Sequence, residues 1–233
     1  MRLDVILCGM KIVSLLAQYF VLSFSALLPV VNPLGSALLL LGIVGNASPV
    51  VYRELARKVA IRTAILFMVV ELVGAALLNF FGISLPVVQV AGGLVLAAMG
   101  WRLLNRQDSE TNQGAAAVAE TNFEVLQDKI FYPFTFPVTV GPGCIVVMLT
   151  LGARASAESV TPDVVAHLGI LAATVVLSVV VYFSYAYAPK ITSHISPQTA
   201  HGILRVVAFV LLCIGVQITS NGVEAVLRTV LKP

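Results

Sequence analysis

The sequence predicts an all-α membrane protein with six transmembrane helices, arranged as two inverted-topology three-helix repeats in which helices 1 and 4 are discontinuous. Three observations predict this fold class. The 233 residues are 59% hydrophobic and only 11% charged, whereas soluble domains average roughly 45–50% apolar and about 25% charged. The apolar residues recur in segments of membrane-spanning length, and two of these segments carry prolines and glycines at their centres.

The six spans are assigned by length, since a helix needs about 20 mostly apolar residues to cross a bilayer. The first apolar run is longer than one straight crossing requires, which indicates an interrupted or tilted helix. A basic connector follows it, and the second span ends in a short uncharged turn before Pro86 opens the third. The spans are predicted at residues 12–42, 61–80, 87–104, 130–152, 164–188 and 201–220.

A polar segment of mixed charge separates the third span from the fourth. The chain is therefore divided into an N-terminal three-helix repeat (1–104), a polar linker (105–129) and a C-terminal inverted three-helix repeat (130–233). Lys and Arg residues concentrate near the first, third and fifth connectors, which predicts a cytoplasmic linker and external termini. Because each half holds an odd number of spans, the second half is expected to be inverted relative to the first.

The first span is predicted to break at Pro29, Asn32, Pro33 and Gly35. Each proline removes a backbone donor and clashes with the preceding turn, and glycine permits backbone conformations that other residues resist. Broken backbone at membrane depth is tolerated only where it is buried in protein or lines a polar cavity. The alternative is a proline kink that only shapes packing.

The fourth span repeats this feature in the second half. Paired proline- and glycine-interrupted spans in inverted halves indicate the midplane site of a secondary transporter. Half-helices that begin at such breaks present free N–H groups and a positive dipole end, which suit an anionic group such as an amino-acid carboxylate. The predicted substrate-binding residues are Pro29, Asn32, Pro33, Gly35, Thr139, Gly141, Pro142 and Gly143.

Other residues receive separate expectations. Glu71 lies mid-span in the second helix, where a carboxylate is a candidate for proton coupling. Gly92 and Gly93 are predicted to form a close helix-packing face, and Arg205 and Gln217 to tie helix ends together. Three histidines near span ends are expected to be solvated, and three tyrosines of the fifth span to serve packing and interface anchoring. These are His167, His194, His201, Tyr182, Tyr185 and Tyr187.

The motifs, taken in order, resemble the MarC family of bacterial and archaeal inner-membrane proteins. The resemblance extends from Phe20 to Val223, except for the linker. Its carriers are Val31-Asn32-Pro33-Leu34-Gly35, Phe81-Gly82-Ile83-Ser84-Leu85-Pro86, Ala91-Gly92-Gly93, Pro137 through Gly143, and Arg205 with Gln217 and Gly222. Gln89 stands where the family often has arginine, so a symmetric arginine pair with Arg205 is not expected.

The resemblance implies an inner-membrane, multi-pass secondary transporter of small neutral amino acids, of the glycine and alanine class, that works by alternating access. Two alternatives stay open: a membrane structural or stress-associated protein that transports nothing, and an exporter of other small solutes. The spans lack hydrolase, metalloprotease and paired-aspartate motifs, so we expect no enzyme activity, catalytic residue, cofactor or metal. The expected partners are a small-molecule substrate, the lipid bilayer and possibly further copies of the chain, but no nucleic acid.

Overall fold

The computed structural model describes residues 2–45, 47–105, 130–156 and 160–231, and throughout these ranges the regular structure is helical. The long helices follow from the apolar runs, which leave no alternative means of pairing backbone groups inside a bilayer. The elements are α1 (Arg2–Val31), α2 (Pro33–Val44), α3 (Pro49–Phe80), α4 (Leu85–Leu104), α5 (Ile130–Thr139), α6 (Pro142–Ala155), α7 (Val160–Ala186), α8 (Ala188–His194) and α9 (Pro197–Leu231).

Five helical spans are long and apolar enough to cross a membrane, and a sixth is obtained if α5 and α6, which are bent by 61°, count as one. Their outward faces are strongly apolar. Leu72, Phe80 and Val206, for example, are 68%, 82% and 65% exposed. Such faces are compatible with lipid and not with water, because soluble proteins rarely expose large contiguous apolar surfaces. The fold is therefore a multi-pass helical membrane protein.

Several span boundaries differ from the sequence predictions. The basic stretch between the first two spans was expected to be a connector, but it forms the first turns of α3, which begins at Pro49. Ser48 caps this helix and Pro49 occupies its first turn, a strong helix start, and Lys and Arg are good helix formers. The last helix is also longer than predicted, because α9 continues to Leu231 through the expected tail.

Both predicted helix breaks are present. The first span is divided between α1 and α2 at Asn32, and the fourth between α5 and α6 around Val140 and Gly141. The predicted linker, apart from Asn105, lies outside the described residues. Whether the two halves form an inverted repeat is a separate question, considered below with the function.

The helices pack in a pattern that surrounds the breaks with protein. The helices α1 and α3 pack against α7, and α4 packs against both α6 and α9. Small residues allow α4 and α9 to approach closely. A Cβ atom on Gly93 would lie 2.7 Å from the Gly215 carbonyl oxygen, and one on Gly215 would lie 2.4 Å from the Ala97 nitrogen. Gly92, on another face of α4, lies against Val146 of α6.

Candidate functional site

The first break is a single residue in the left-handed conformation. Asn32 has φ 45° and ψ 64°, and its side-chain Oδ1 accepts a hydrogen bond of 3.1 Å from the Gly35 N–H. Asparagine is among the few residues that adopt this conformation readily and also cap helices well. A Cβ on Gly35 would lie 2.3 Å from the Asn32 amide nitrogen. The cap of α2 therefore requires glycine at position 35.

The second break is longer and depends on hydroxyl groups. In α5, Tyr132 and Phe136 have extended backbone, and each precedes a proline through a cis peptide bond. The Thr135 hydroxyl donates to the Ile130 carbonyl at 2.7 Å, and the Thr139 hydroxyl donates to the Phe134 carbonyl at 2.6 Å. These hydroxyls give the irregular backbone of α5 additional buried hydrogen bonds. Such satisfaction is what a break inside a membrane requires.

The two breaks lie next to each other. The Ser36 hydroxyl, in the first turn of α2, is 3.0 Å from the Val31 carbonyl oxygen and 3.2 Å from the Val138 carbonyl oxygen at the end of α5. A Cβ on Gly143, in the first turn of α6, would lie 2.1 Å from Leu96 and 3.4 Å from Val30 of α1. The starts of α2 and α6 therefore share one buried region.

Tyr185 of α7 completes this region. Its side chain is fully buried, and its hydroxyl is 2.7 Å from the Thr139 hydroxyl. Because Thr139 gives its only hydroxyl hydrogen to Phe134, Tyr185 must be the donor between the two. The Ser36 hydroxyl is the second hydroxyl group near the phenolic oxygen of Tyr185. Ser36, Thr139 and Tyr185 thus form a hydroxyl cluster contributed by α2, α5 and α7.

The polar groups of the region are uncharged, but the two helix starts differ. The cap from Asn32 satisfies one early N–H of α2. At α6, Gly141 occupies the cap position and supplies no side-chain acceptor. The N–H of Gly143 has no partner within its own helix, as is general for the first turn. The start of α6 therefore presents the more open positive dipole end, which favours a negatively charged ligand group.

The predicted site residues around these breaks differ in how deeply they are buried. Among them, Pro33, Thr139, Gly141 and Gly143 are buried, Pro29, Asn32 and Gly35 are partly buried, and Pro142 is exposed. Pro142 opens α6, but its exposed ring is poorly placed to contact a ligand in the buried region. It is better described as the residue that starts the helix.

Two residues of the hydroxyl cluster were missed by the sequence analysis. Ser36 directly follows the glycine of the first motif, so its position was the available signal. Tyr185 was expected only to pack or anchor, because a tyrosine near a span end is commonly an interface residue. Its partner Thr139 is 46 positions away. That pairing depends on the tertiary fold, which brings Tyr185 of α7 to the end of α5, and it has no local sequence signature.

Two structural predictions do not agree with the fold. Arg205 and Gln217 were expected to tie helix ends together, but both are exposed on α9. The Gln217 amide donates at 2.9 Å to Asn221, one turn further along the same helix. The Gln217 side chain lies on the side of α9 away from its close contact with α4, which Gly215 makes.

The predicted coupling residue Glu71 lies outside the break region and has a partner that the sequence did not reveal. Its Oε1 is 2.6 Å from Nδ1 of His167 on α7. The expectation that His167 is solvated is therefore wrong, since its side chain is only 28% exposed and contacts a carboxylate that is 1% exposed. His194 is exposed, as expected.

A multi-pass helical protein with two adjacent helix breaks, each satisfied by neighbouring side chains, belongs to the class of polytopic membrane proteins with discontinuous helices. The family model described as MarC family integral membrane protein matches residues 17–227. The chain belongs to this family.

Individual relatives agree with that assignment. The chain is 28% identical over 213 residues to the UPF0056 inner membrane protein MarC of Escherichia coli O1:K1, covering 89% of this chain and 95% of that protein. It is 28% identical over 210 residues to the protein of the same name from Salmonella paratyphi B, with the same coverage. No solved structure matches the chain. With its membrane-spanning helices, the protein is a multi-pass inner membrane protein.

Proposed function

We propose that this protein is a secondary transporter of small neutral amino acids, of the glycine and alanine class, that works by alternating access. One observation carries the proposal. Two helix breaks, one in each half of the chain, lie side by side and are bridged by the Ser36 hydroxyl and the Val138 carbonyl. Discontinuous helices at corresponding positions of two halves are typical of the substrate sites of secondary transporters.

The helix pairing supports an inverted repeat. If α1–α2, α3 and α4 correspond to α5–α6, α7 and α9, exchanging the halves reproduces the main contacts. The helices α1 and α2 pack on α7, as α5 and α6 pack on α3. Between whole spans, the contact of α4 with the α5–α6 span corresponds to that of α9 with the α1–α2 span, although α4 meets the second half-helix (α6) and α9 the first (α1). The contacts α3–α7 and α4–α9 are their own equivalents. Such an arrangement allows one half to rock against the other around a fixed site.

The chemistry of the break region favours a small zwitterion without a charged side chain. The α6 start offers backbone N–H groups to a carboxylate, while carbonyl and hydroxyl oxygens near the Ser36–Thr139–Tyr185 cluster can accept from an ammonium group. Among the described residues around the breaks, the polar side chains named above are uncharged, so none pairs with a charged substituent. Close packing of Leu96 and Val30 against Gly143 limits the space for a larger side chain.

Transport into proteoliposomes tests the proposal. Vesicles containing the purified protein should accumulate labelled glycine or alanine above the level of empty vesicles, under an imposed proton or sodium gradient. Unlabelled neutral amino acids should compete more strongly the smaller their side chain. If no amino acid is transported under either gradient, the proposal fails. Preferential transport of other solutes would instead favour the exporter alternative.

A variant pair distinguishes transport from a purely structural role. Asn32→Ala removes the cap of α2. Gly42→Ala is the control, because Gly42 lies on the same helix and its added Cβ meets open space. We expect Asn32→Ala to weaken substrate affinity and Gly42→Ala to leave it unchanged, with affinity measured by ligand-dependent thermal stabilisation. A structural or stress-associated protein would show altered stability in Asn32→Ala and no ligand effect in any variant.

A further inference from the structure

A second group of polar side chains lies toward the far end of α6 from the breaks. Oε1 of Glu71 on α3 is 2.6 Å from Nδ1 of His167 on α7. The other ring nitrogen, Nε2, is 3.1 Å from the Ser156 hydroxyl and 3.0 Å from Oδ1 of Asp163. One imidazole therefore stands between two carboxyl groups. We refer to these three side chains as the Glu71–His167–Asp163 cluster.

Exposure rises along the cluster from the interior to the surface. The side chain of Glu71 is 1% exposed, that of His167 28% and that of Asp163 34%. In the described part of the chain, Oε2 of Glu71 is a buried atom without a hydrogen-bond partner, and Oδ1 of Asp163 is a buried atom that has the 3.0 Å ion-pair contact with Nε2 of His167 but no hydrogen bond. An unpartnered buried carboxylate oxygen is costly unless it is neutralised. Each end of the cluster thus has an oxygen available to a proton.

The charge balance points the same way. With both carboxylates ionised and His167 protonated on Nδ1 alone, the cluster carries two net negative charges, and one further proton lowers this to one. The acid–base groups that face Glu71 are His167 and, beyond it, Asp163. On α6, Gly152 faces Oε2 of Glu71, and the nearest titratable side chain, Arg154, is exposed. On α1, Tyr19 donates its hydroxyl to the Arg154 carbonyl.

We propose that the Glu71–His167–Asp163 cluster is a proton-binding site. Starting from an imidazole protonated on Nδ1 alone, a proton that binds Asp163 passes to Nε2 of His167 while the Nδ1 proton moves to Glu71. One N–H bond breaks as another forms, so the net gain is one O–H bond on Glu71, and release follows the reverse route. Ser156 can donate to or accept from Nε2, so it pairs with either protonation state of the imidazole. A metal cation fits less well, because hard cations need several converging oxygens, and here the two carboxyl groups contact opposite nitrogens of the imidazole.

The site has a physical connection to the break region. The helix α6 begins at Pro142, and Gly152, which lies against Glu71, is about 15 Å further along at 1.5 Å per residue. Protonation of Glu71 changes its bond to His167 and hence the contact of α3 and α7 beside α6. Coupling of this event to substrate movement rests on the proposed function. Proton binding itself does not.

Infrared difference spectroscopy of the protein reconstituted in lipid measures proton binding without substrate. Acidification should produce a carboxylic-acid C=O band that Glu71→Gln abolishes and Glu54→Gln retains. Glu54 is a matched control, since it lies on the same helix and pairs with Lys58 near the surface. His167→Gln should keep the band but change the proton concentration at which the band reaches half its full intensity by at least tenfold. A band that is unaffected by both cluster variants overturns the proposal.

Two further experiments distinguish proton binding from cation binding and test its coupling to transport. At fixed pH, added sodium should leave the band unchanged; a sodium response that replaces the acid response would assign a cation site and refute proton binding. In proteoliposomes, Glu71→Gln should reduce proton-gradient-driven glycine uptake at least tenfold while glycine exchange at equal pH stays within twofold of wild type. Undiminished gradient-driven uptake refutes the coupling. Absence of wild-type transport refutes the proposed function and leaves the spectroscopic result standing.

Discussion

The hydrogen bond between Tyr185 and Thr139 ties the second helix break to α7, and its removal has a calculable cost. Tyr185→Phe deletes only the donor, because Thr139 keeps its bond to the Phe134 carbonyl. Net hydrogen-bond contributions are about 0.5–1.5 kcal/mol in proteins, and interhelical bonds in membranes average about 0.6 kcal/mol. We expect Tyr185→Phe to lower the free energy of unfolding by about 1 kcal/mol.

Thr139→Val should cost more, because it removes both hydrogen bonds of the Thr139 hydroxyl. The Phe134 carbonyl loses one donor and the Tyr185 hydroxyl loses one acceptor. With a penalty of about 1–3 kcal/mol for each unsatisfied buried group, moderated by membrane values, we expect about 2 kcal/mol. In the Tyr185→Phe background the same substitution should cost about 1 kcal/mol. The double-mutant cycle then gives a coupling energy near 1 kcal/mol.

Unfolding by sodium dodecyl sulfate in mixed micelles provides the measurement, with the fluorescence of Trp101, the one tryptophan in the sequence, as the signal. Tyr187→Phe is the control, since Tyr187 is 37% exposed and stacks on Phe183 through its ring alone. That control should change stability by less than about 0.5 kcal/mol. If Tyr185→Phe costs no more than the control, or if the cycle is additive, the assignment of the hydroxyl cluster is refuted.

Three further predictions follow from the backbone geometry. Gly35→Ala should destabilise the protein by more than about 1 kcal/mol, as overpacking usually does, because its Cβ would meet the Asn32 side chain. Gly42→Ala meets open space and should be neutral or slightly stabilising. Thermal denaturation compares the two variants. Gly93→Ala on α4 should separate α4 from α9, whereas Gly202→Ala on α9 meets open space and should have no effect. Cysteine crosslinking across the helix pair would detect the separation, and equal crosslinking in the two variants would contradict it. Asn32→Gly should be milder than Asn32→Ala, since glycine keeps the left-handed backbone and loses only the cap; equal losses of stability would show that the conformation does not matter.

The breaks and the spans could be predicted from sequence because their causes are local. Proline removes a donor wherever it stands, and an apolar run of sufficient length crosses a bilayer whatever surrounds it. The start of α3 at Pro49 was missed because positive-inside counting locates charges relative to the membrane and does not say whether the chain there is helical. Hence the basic residues were assigned to a connector when they lie on a helix.

The partners of the polar side chains could not be predicted, because they depend on how distant segments pack. Glu71 and His167 are 96 positions apart, and Ser36 and Val138 are 102 apart. Nothing near Glu71 in sequence indicates that an imidazole lies against it. For the same reason Arg205 and Gln217, which are polar residues in an apolar span, suggested interhelical bonds that the exposed face of α9 does not make.

The largest correction concerns the symmetry of the two breaks. Both combine proline with glycine, and the sequence therefore suggested equivalent half-helix starts. The first break contains a residue that folds back on its own helix, because Asn32 caps Gly35. In the second break, the Thr139 hydroxyl donates to the preceding Phe134 carbonyl, and the start of α6 has no side-chain cap. An electrostatic preference follows: an anionic ligand group gains more at α6 than at α2, where an acceptor already occupies the dipole end. For an amino acid this orients the carboxylate toward Gly143 and the ammonium group toward the carbonyls near Ser36, so a substrate would bind in one direction despite the similarity of the halves.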